Sequence, residues 1–273
     1  MRIALAQLAP VPGDLERNVA RVAEAVRAAK SDLAVFPELF LSGYRVGDRF
    51  HRLALAEGDR TTEALREVAR ASRTMVVVGS PLASAERKGE VYNAALAFLP
   101  NEELFVQVKR YLPTFGPFEE GVQFTATDSS RPVALAGVSV GIEICYDTFF
   151  PEVSRQLALG GAELLLVISA SPVTSRRLFE RLLPARAIEN AVPVVYVNRV
   201  GVEDGVVFGG GSGAWDARGE PLPLTDVPFP SLGPEERLTA VEIDPTESAR
   251  WRPFRPVLRD VASRPGVPPP ASL

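Results

Sequence analysis

The sequence predicts a mixed α/β fold in which two sheets pack face to face with helices outside. Three observations carry this. Short β-type runs alternate with longer amphipathic runs along 273 residues. There are more strand candidates than one sheet easily holds. One of them, "AELLLVISA", is apolar at almost every position, which requires cover on both faces.

The elements follow in order. "RIALAQL" reads as a first strand and "DLERNVARVAEAVRAAK" as a helix, with Leu15, Val19, Val22, Ala23 and Val26 at helical spacing and Asp14 as N-cap. "LAVFPEL" is the next strand, "TTEALREVARASR" a second helix and "MVVVGSPL" a third strand. "VYNAALAFLP" and "LFVQVKRYLP" flank the turn-like "PNEE" and predict an antiparallel pair. "PVALAGVSVGIEIC" is long and β-rich. "FPEVSRQLALGG" is a helix stopped by a Gly pair, and "SRRLFERLLPARAIENA" is a helix kinked at Pro184. "VPVVYVNRVG", "VVFGGGSGAWDARGEPL" and "RLTAVEID" complete the strands. No linker or repeat divides the chain, so residues 1–255 are expected to form one domain. Residues 256–273 are then a C-terminal arm and a Pro-rich tail, "SRPGVPPPASL", expected to be disordered. "RWRPFRPVLRD" sets Trp251 and Phe254 among arginines, as an extended arm docking on a second subunit or folding back on its own domain.

Composition narrows the chemistry. A net charge of -4 gives no footprint for nucleic acid, and no apolar run approaches the ~18 residues of a membrane span. One cysteine excludes an internal disulfide framework and points to a reducing, cytoplasmic compartment. One histidine, His51, is too few for a His-rich zinc site, so neither metal nor cofactor is expected. Hydrolysis would then need a carboxylate or an amine as its base.

The sole thiol, Cys145, closes the strand in "GIEICYDTFFPE". By alternation it shares a face with Gly137, Ser139, Gly141 and Glu143, opposite Val138, Val140, Ile142 and Ile144. A turn and helix starting over 146–152 would aim backbone N–H groups at the sulfur, favouring a thiolate and an oxyanion. Two other strands end in chemistry. "LAVFPELFLSGY" places Glu38 after a proline, ahead of a turn at Ser42-Gly43, and burial there would tune it for base and acid duty. "FVQVKRYLPTFGPFEE" places Lys109 before a loop rich in Pro, Gly and aromatics. Read alone, these are also a core cysteine, a solvated strand end and an edge charge.

"FPELFLSGY", "VKRYLPTFGPFEE" and "GIEICYDTFFPE", in that order, resemble the nitrilase superfamily of carbon–nitrogen hydrolases from the first strand to about residue 245. The resemblance implies a four-layer αββα sandwich that pairs into a homodimer. It also implies Cys145 as nucleophile, Glu38 as general base and acid, and Lys109 as oxyanion stabiliser. A further carboxylate near the centre would be Glu119 or Glu120, with the spacing favouring Glu120.

"GYRVGDRFHR", "YLPTFGPFEE", "ISASPVTSRRLFER" and "VNRVGVEDGVVFGGGSGAWDARG" are most similar to the glutaminase domain of glutamine-dependent NAD synthetases. The expected substrate is a small primary amide bearing a carboxylate, hydrolysed through a thioester with release of ammonia. The expected binding residues are Glu120, Tyr146, Ser169, Ser171 and Arg176. Arg176 and Arg177 could pair with the substrate carboxylate, or form the basic first turn of a surface helix. Tyr146 stands where that branch tends to carry an acid, and "CYD" is closer to ω-amidase-like members. The alternatives are a glutaminase subunit feeding a separate ammonia-consuming synthetase, and a non-catalytic binding or regulatory protein on the same fold.

Overall fold

In the computed structural model, which describes residues 1–264, two sheets pack face to face between two pairs of helices. In chain order the strands are β1 (Arg2–Gln7), β2 (Leu33–Val35), β3 (Met75–Ala83), β4 (Val91–Phe98), β5 (Leu104–Val108), β6 (Val133–Leu135), β7 (Val138–Ile144), β8 (Leu164–Ser169), β9 (Val194–Asn198), β10 (Val200–Glu203), β11 (Val206–Gly209), β12 (Gly213–Trp215), β13 (Thr225–Asp226) and β14 (Arg237–Glu242). The helices are α1 (Leu15–Ala29), α2 (Phe50–Leu53), α3 (Arg60–Ser72), α4 (Glu120–Gln123), α5 (Pro151–Leu159), α6 (Arg176–Asn190), α7 (Glu247–Trp251) and α8 (Val257–Ala262).

The larger sheet runs β13-β14-β1-β2-β3-β4-β5 and the smaller β12-β9-β8-β7-β6; β10 and β11 form a separate hairpin. In the larger sheet Ile3, Leu5, Leu33, Val35, Val77, Ala95 and Ala97 join the core shared with the smaller sheet. The alternate residues Ala4, Ala6, Ala34, Val76, Val78, Ala94 and Leu96 pack with Val22, Ala25 and Val26 of α1 and Leu65 and Ala69 of α3. Strand periodicity of two therefore assigns one face to each layer. In the smaller sheet the buried β8, apolar up to its last residue, lies between β7 and β9, both parallel to it, with α5 and α6 contributing Val153, Leu157, Phe179, Leu183 and Ala187 to the same core. This is the expected αββα sandwich.

Local signals account for most boundaries. The Asp14 carboxylate accepts the N–H of Arg17 at the start of α1, and Asp59 accepts that of Thr62 at the start of α3. The β4–β5 pair is antiparallel across the "PNEE" turn, with Phe98 opposite Leu104. Helix α6 runs through Pro184 without ending there.

Two expectations are corrected. The second strand stops at Val35 instead of reaching Leu39, because Leu39 takes a left-handed φ of 49°. The segment around Trp251 is helical, not an extended arm. It folds onto its own domain: the Arg252 guanidinium donates to the Ala162 carbonyl at 2.5 Å, the Arg255 guanidinium donates to the Ala217 carbonyl at 2.5 Å, and Trp251 stacks under Arg218 and Arg255. His51 is an exposed residue of α2. The Pro-rich stretch beyond Arg264 lies outside the described residues.

Candidate active site

The carboxyl ends of strands from both sheets converge on one buried polar cluster, the region where α/β sheets expose loop atoms to a ligand. Past β2 the chain turns sharply through Phe36–Leu39, with the left-handed Leu39 directly after Glu38. That turn presses on β3. A Cβ built on Gly79 would stand 2.4 Å from the Leu39 nitrogen and 2.6 Å from the Glu38 Cα, so only glycine fits beneath it. The Glu38 carboxylate is fully buried and accepts three hydrogen bonds: Lys109 Nζ to Oε1 at 2.6 Å, Asn93 Nδ2 to Oε1 at 2.8 Å, and the Ala170 N–H to Oε2 at 2.8 Å.

Lys109, just past β5, also donates to Glu120 Oε1 at 2.7 Å. Glu120 further accepts the Tyr44 hydroxyl and, at 3.2 Å, the second contact of Asn93 Nδ2. Of the two neighbouring acids, Glu120 is buried in the cluster, whereas Glu119 is exposed. Burial by itself would lower the Lys109 pKa, but the charges of Glu120 and Glu38 outweigh it and raise it above the usual lysine range. Burial pushes the Glu120 carboxyl up to about 7, with Lys109 opposing.

Cys145 is not the last residue of the strand. β7 ends at Ile144, and Cys145 opens a short 3₁₀ turn over Cys145–Phe149 with a left-handed φ of 49°. For a residue with a side chain this is a strained conformation, tolerated where the surroundings over-determine it. It breaks the alternation predicted for the strand. Glu143 instead meets Thr148 Oγ1 at 3.0 Å, and a Cβ on Gly141 would strike Leu157 of α5. The thiol lies in the field of Glu38, Lys109 and Glu120. Burial and then the Glu38 charge raise its pKa, so it rests as a neutral thiol.

Asp147 ties the two halves together. Its Oδ1 accepts the N–H groups of Arg110 at 3.1 Å and Tyr111 at 2.9 Å, and its Oδ2 accepts that of Ile144 at 3.2 Å. The loop after Lys109 and the turn holding Cys145 are thereby held by one carboxylate, whose pKa burial pushes up to about 7.

The other expected site residues divide. Ser169 and Ser171 are buried at the end of β8, and neither hydroxyl has a hydrogen-bond partner among the described residues. They flank Ala170, whose N–H holds Glu38. Asn198 grips Ser171 through both its backbone groups, at 2.8 and 3.1 Å. Tyr146 packs into an aromatic group with Phe115, Phe149 and Phe150, at centroid distances of 5.4, 5.4 and 5.1 Å. Arg176 does not join the cluster. It is 52% exposed in the first turn of α6 and pairs with Glu180 at 3.0 Å, one helical turn on. Arg177 is exposed beside it. A cavity of about 330 Å³ opens on the far side of Glu120, lined by Tyr44, Arg45, Phe50, Gln123 and Phe124 among others. Among the described residues no group of three His, Cys, Asp or Glu side chains is disposed to hold a metal ion.

Sequence reading missed Asn93, Tyr44 and Asp147. Asn93 sits mid-strand in "VYNAALAF", where a buried amide among apolar residues is itself the signal.

A buried thiol, two carboxylates and an ammonium at the strand ends of an αββα sandwich form the kind of site that suits acyl transfer. The carbon–nitrogen hydrolase family model matches residues 2–253, and the chain belongs to that family. It is 36% identical to the glutamine-dependent NAD(+) synthetase of Thermotoga maritima over 92% of this chain, but spans only 43% of that protein's length. It is also 36% identical to an (R)-stereoselective amidase of a Pseudomonas species, over 81% of this chain and 80% of the amidase. Among solved structures it resembles a variant of the Nesterenkonia sp. AN1 amidase with the acetamide moiety of fluoroacetamide on its active-site cysteine. The TM-score is 0.77 at 30% identity, covering 93% of this chain and 94% of the other.

Proposed function

We propose that this carbon–nitrogen hydrolase cleaves a small primary amide through a thioester on Cys145, releasing ammonia. The observation that carries the reading is the buried meeting of Glu38, Lys109 and Glu120 at the same end of the sheets as the turn that holds the buried Cys145. Glu38 Oε2, which takes only one hydrogen bond, accepts the Sγ proton as sulfur attacks the carbonyl carbon. The tetrahedral oxyanion is held by the Lys109 ammonium and the backbone N–H of Tyr146. One such donor is worth about 10²–10³ in rate. The C–N bond breaks as Glu38 returns the proton to the departing ammonia. Water then gives a proton to Glu38 and its hydroxyl to the thioester, which releases the carboxylic acid and the thiol.

Glu120 keeps Lys109 charged and aimed, and the buried hydroxyls of Ser169 and Ser171, beside Tyr196, could reach the substrate. The likeness to glutamine-dependent enzymes favours a substrate that bears a carboxylate, glutamine among them. Arg176, outside the cluster, uses only its Nε on Glu180 and keeps its other guanidinium donors for a substrate carboxylate. The test is ammonia release across glutamine, α-ketoglutaramate, N-carbamoyl compounds and simple aliphatic amides. Turnover of a primary amide, lost in Cys145→Ala, is expected. Activity on none, or activity kept in that variant, contradicts the proposal.

A second reading has the protein supplying ammonia to a separate synthetase, favoured by the match to the T. maritima enzyme over 92% of this chain. It predicts glutamine as the best substrate, and low turnover until the acceptor protein is present.

A further inference from the structure

We infer that Asn93 is the positioning residue that lets Glu38 and Glu120 stand side by side as two separate carboxylates, and so keeps Glu38 free to act as a base. The inference rests on the proton transfer between Cys145 and Glu38 proposed above. Asn93 is fully buried on β4, opposite Pro81 of β3. It touches all three charged members of the cluster. Its carbonyl accepts the Lys109 N–H at 2.8 Å, and its Nδ2 donates to Glu38 Oε1 at 2.8 Å and Glu120 Oε2 at 3.2 Å.

The pair of donors sets the orientation of the amide. Rotated by half a turn, it would aim its oxygen at two carboxylates. In the orientation present, Oδ1 faces no hydrogen-bond donor among the described residues, and the NH₂ group spends one hydrogen on each acid. The arithmetic of charge shows why this matters. Two buried carboxylates share one ammonium, because Lys109 Nζ bonds both. Two like charges this close ordinarily share a proton, and one of them stops acting as a base. The amide adds a dipole positive toward both acids without adding a proton that could be lost. Lysine there would overcharge the cluster, and aspartate would add a third acid.

The charged and titratable groups around Glu38 come from several elements. They are Lys109 after β5, Glu120 on α4, Tyr44 in the loop after the Glu38 turn and Cys145 in the turn after β7. Tyr196 of β9 and Arg199 just beyond it act at longer range.

The test uses alkylation of Cys145 by iodoacetamide as a function of pH, which needs no substrate. In the wild type the rate falls on acidification as the buried acid cluster takes up a proton. In Asn93→Asp, nearly isosteric, that acid limb moves up by at least about one pH unit, since a third carboxylate holds protons on the cluster. In the double variant Asn93→Asp with Glu120→Gln the number of acids is restored and the limb returns toward the wild-type position. A merely structural asparagine would give variants with lowered melting temperature and an unmoved limb, and that result overturns the inference. If Asn93→Asp does not accumulate as folded protein, Asn93→Ala carries the test. Its alkylation rate at pH 7 should be at least tenfold lower, and a rate equal to that of the wild type overturns the inference. A wild type with no acid limb contradicts the Cys145–Glu38 proton transfer itself. A wild-type limb that Asn93→Asp leaves in place contradicts only the role of Asn93.

Discussion

The carboxylate of Asp147 accepts the backbone N–H of Tyr111 at 2.9 Å, across 36 residues of sequence. The same oxygen holds Arg110, and the other holds Ile144. The residues immediately after Lys109 and immediately before Cys145 are thus fixed to a common anchor. Asp147→Ala would leave three N–H groups without this acceptor in a buried setting, each worth about 1–3 kcal/mol. The variant is expected to lose about 3 kcal/mol by denaturant titration and at least a hundredfold in kcat/KM. Unchanged turnover in a destabilised variant would show that Asp147 has no part in positioning the site.

Lys109 separates two buried acids. Lys109→Met leaves Glu38 and Glu120 buried with no cation between them. Breaking a buried pair in this way typically costs 3–5 kcal/mol. Turnover should vanish, and part of the stability should return in the double variant Lys109→Met with Glu120→Gln, which removes one of the orphaned charges. Melting curves of the three proteins decide it.

The same burial gives stability a definite pH dependence. Glu120 and Asp147 are both pushed up to about 7, above their unfolded values of 4.5 and 3.8. Between those limits the folded protein binds more protons than the unfolded chain, so stability falls as pH rises from about 4 to about 7. The elevated Lys109 acts in a different window: its contribution is full below 10.5 and is lost as pH rises from there through its raised folded pKa. Urea titrations at pH 5.5 and 7.5 should therefore show the protein more stable at the lower pH. Glu120→Gln should flatten the slope.

Gly79 is required by the turn that carries Glu38. A methyl group there would press on backbone atoms of Leu39, Pro37 and Glu38 at 2.4–2.6 Å, none of which can rotate away. Gly79→Ala is expected to cost about 1–3 kcal/mol as overpacking and to reduce turnover at least tenfold by displacing the carboxylate. A fully active Gly79→Ala enzyme would mean the turn has slack that its contacts do not show.

Much of this was legible in the sequence because the relevant signals are local. Apolar alternation in "RIALAQL" and the unbroken apolar run of "AELLLVISA" specify which strands are covered on which face. Glu38, Lys109 and Cys145, each shortly after a strand, were the candidate residues the sequence offered. What escaped depends on geometry that periodicity does not encode. The left-handed φ of Cys145 and of Leu39 gives no residue-type warning, since neither is glycine or asparagine. Asn93 looked like one polar residue in an apolar strand until the fold placed Glu38 and Glu120 against it. Arg176 stands in the exposed first turn of α6 beside Glu180, the local setting the sequence offered as the alternative to a substrate anchor.

The central claim is a covalent acyl group on Cys145, and the chain's single cysteine makes that claim directly readable by mass. The measurement is rapid acid quench of the enzyme during turnover of its best amide, followed by intact and peptide mass spectrometry. The account predicts an adduct equal to the amide minus ammonia, confined to the peptide carrying Cys145, absent in Cys145→Ala and formed at least a hundredfold more slowly in Glu38→Gln. Steady ammonia release with no adduct in the wild type, together with turnover surviving in Cys145→Ala, would contradict it.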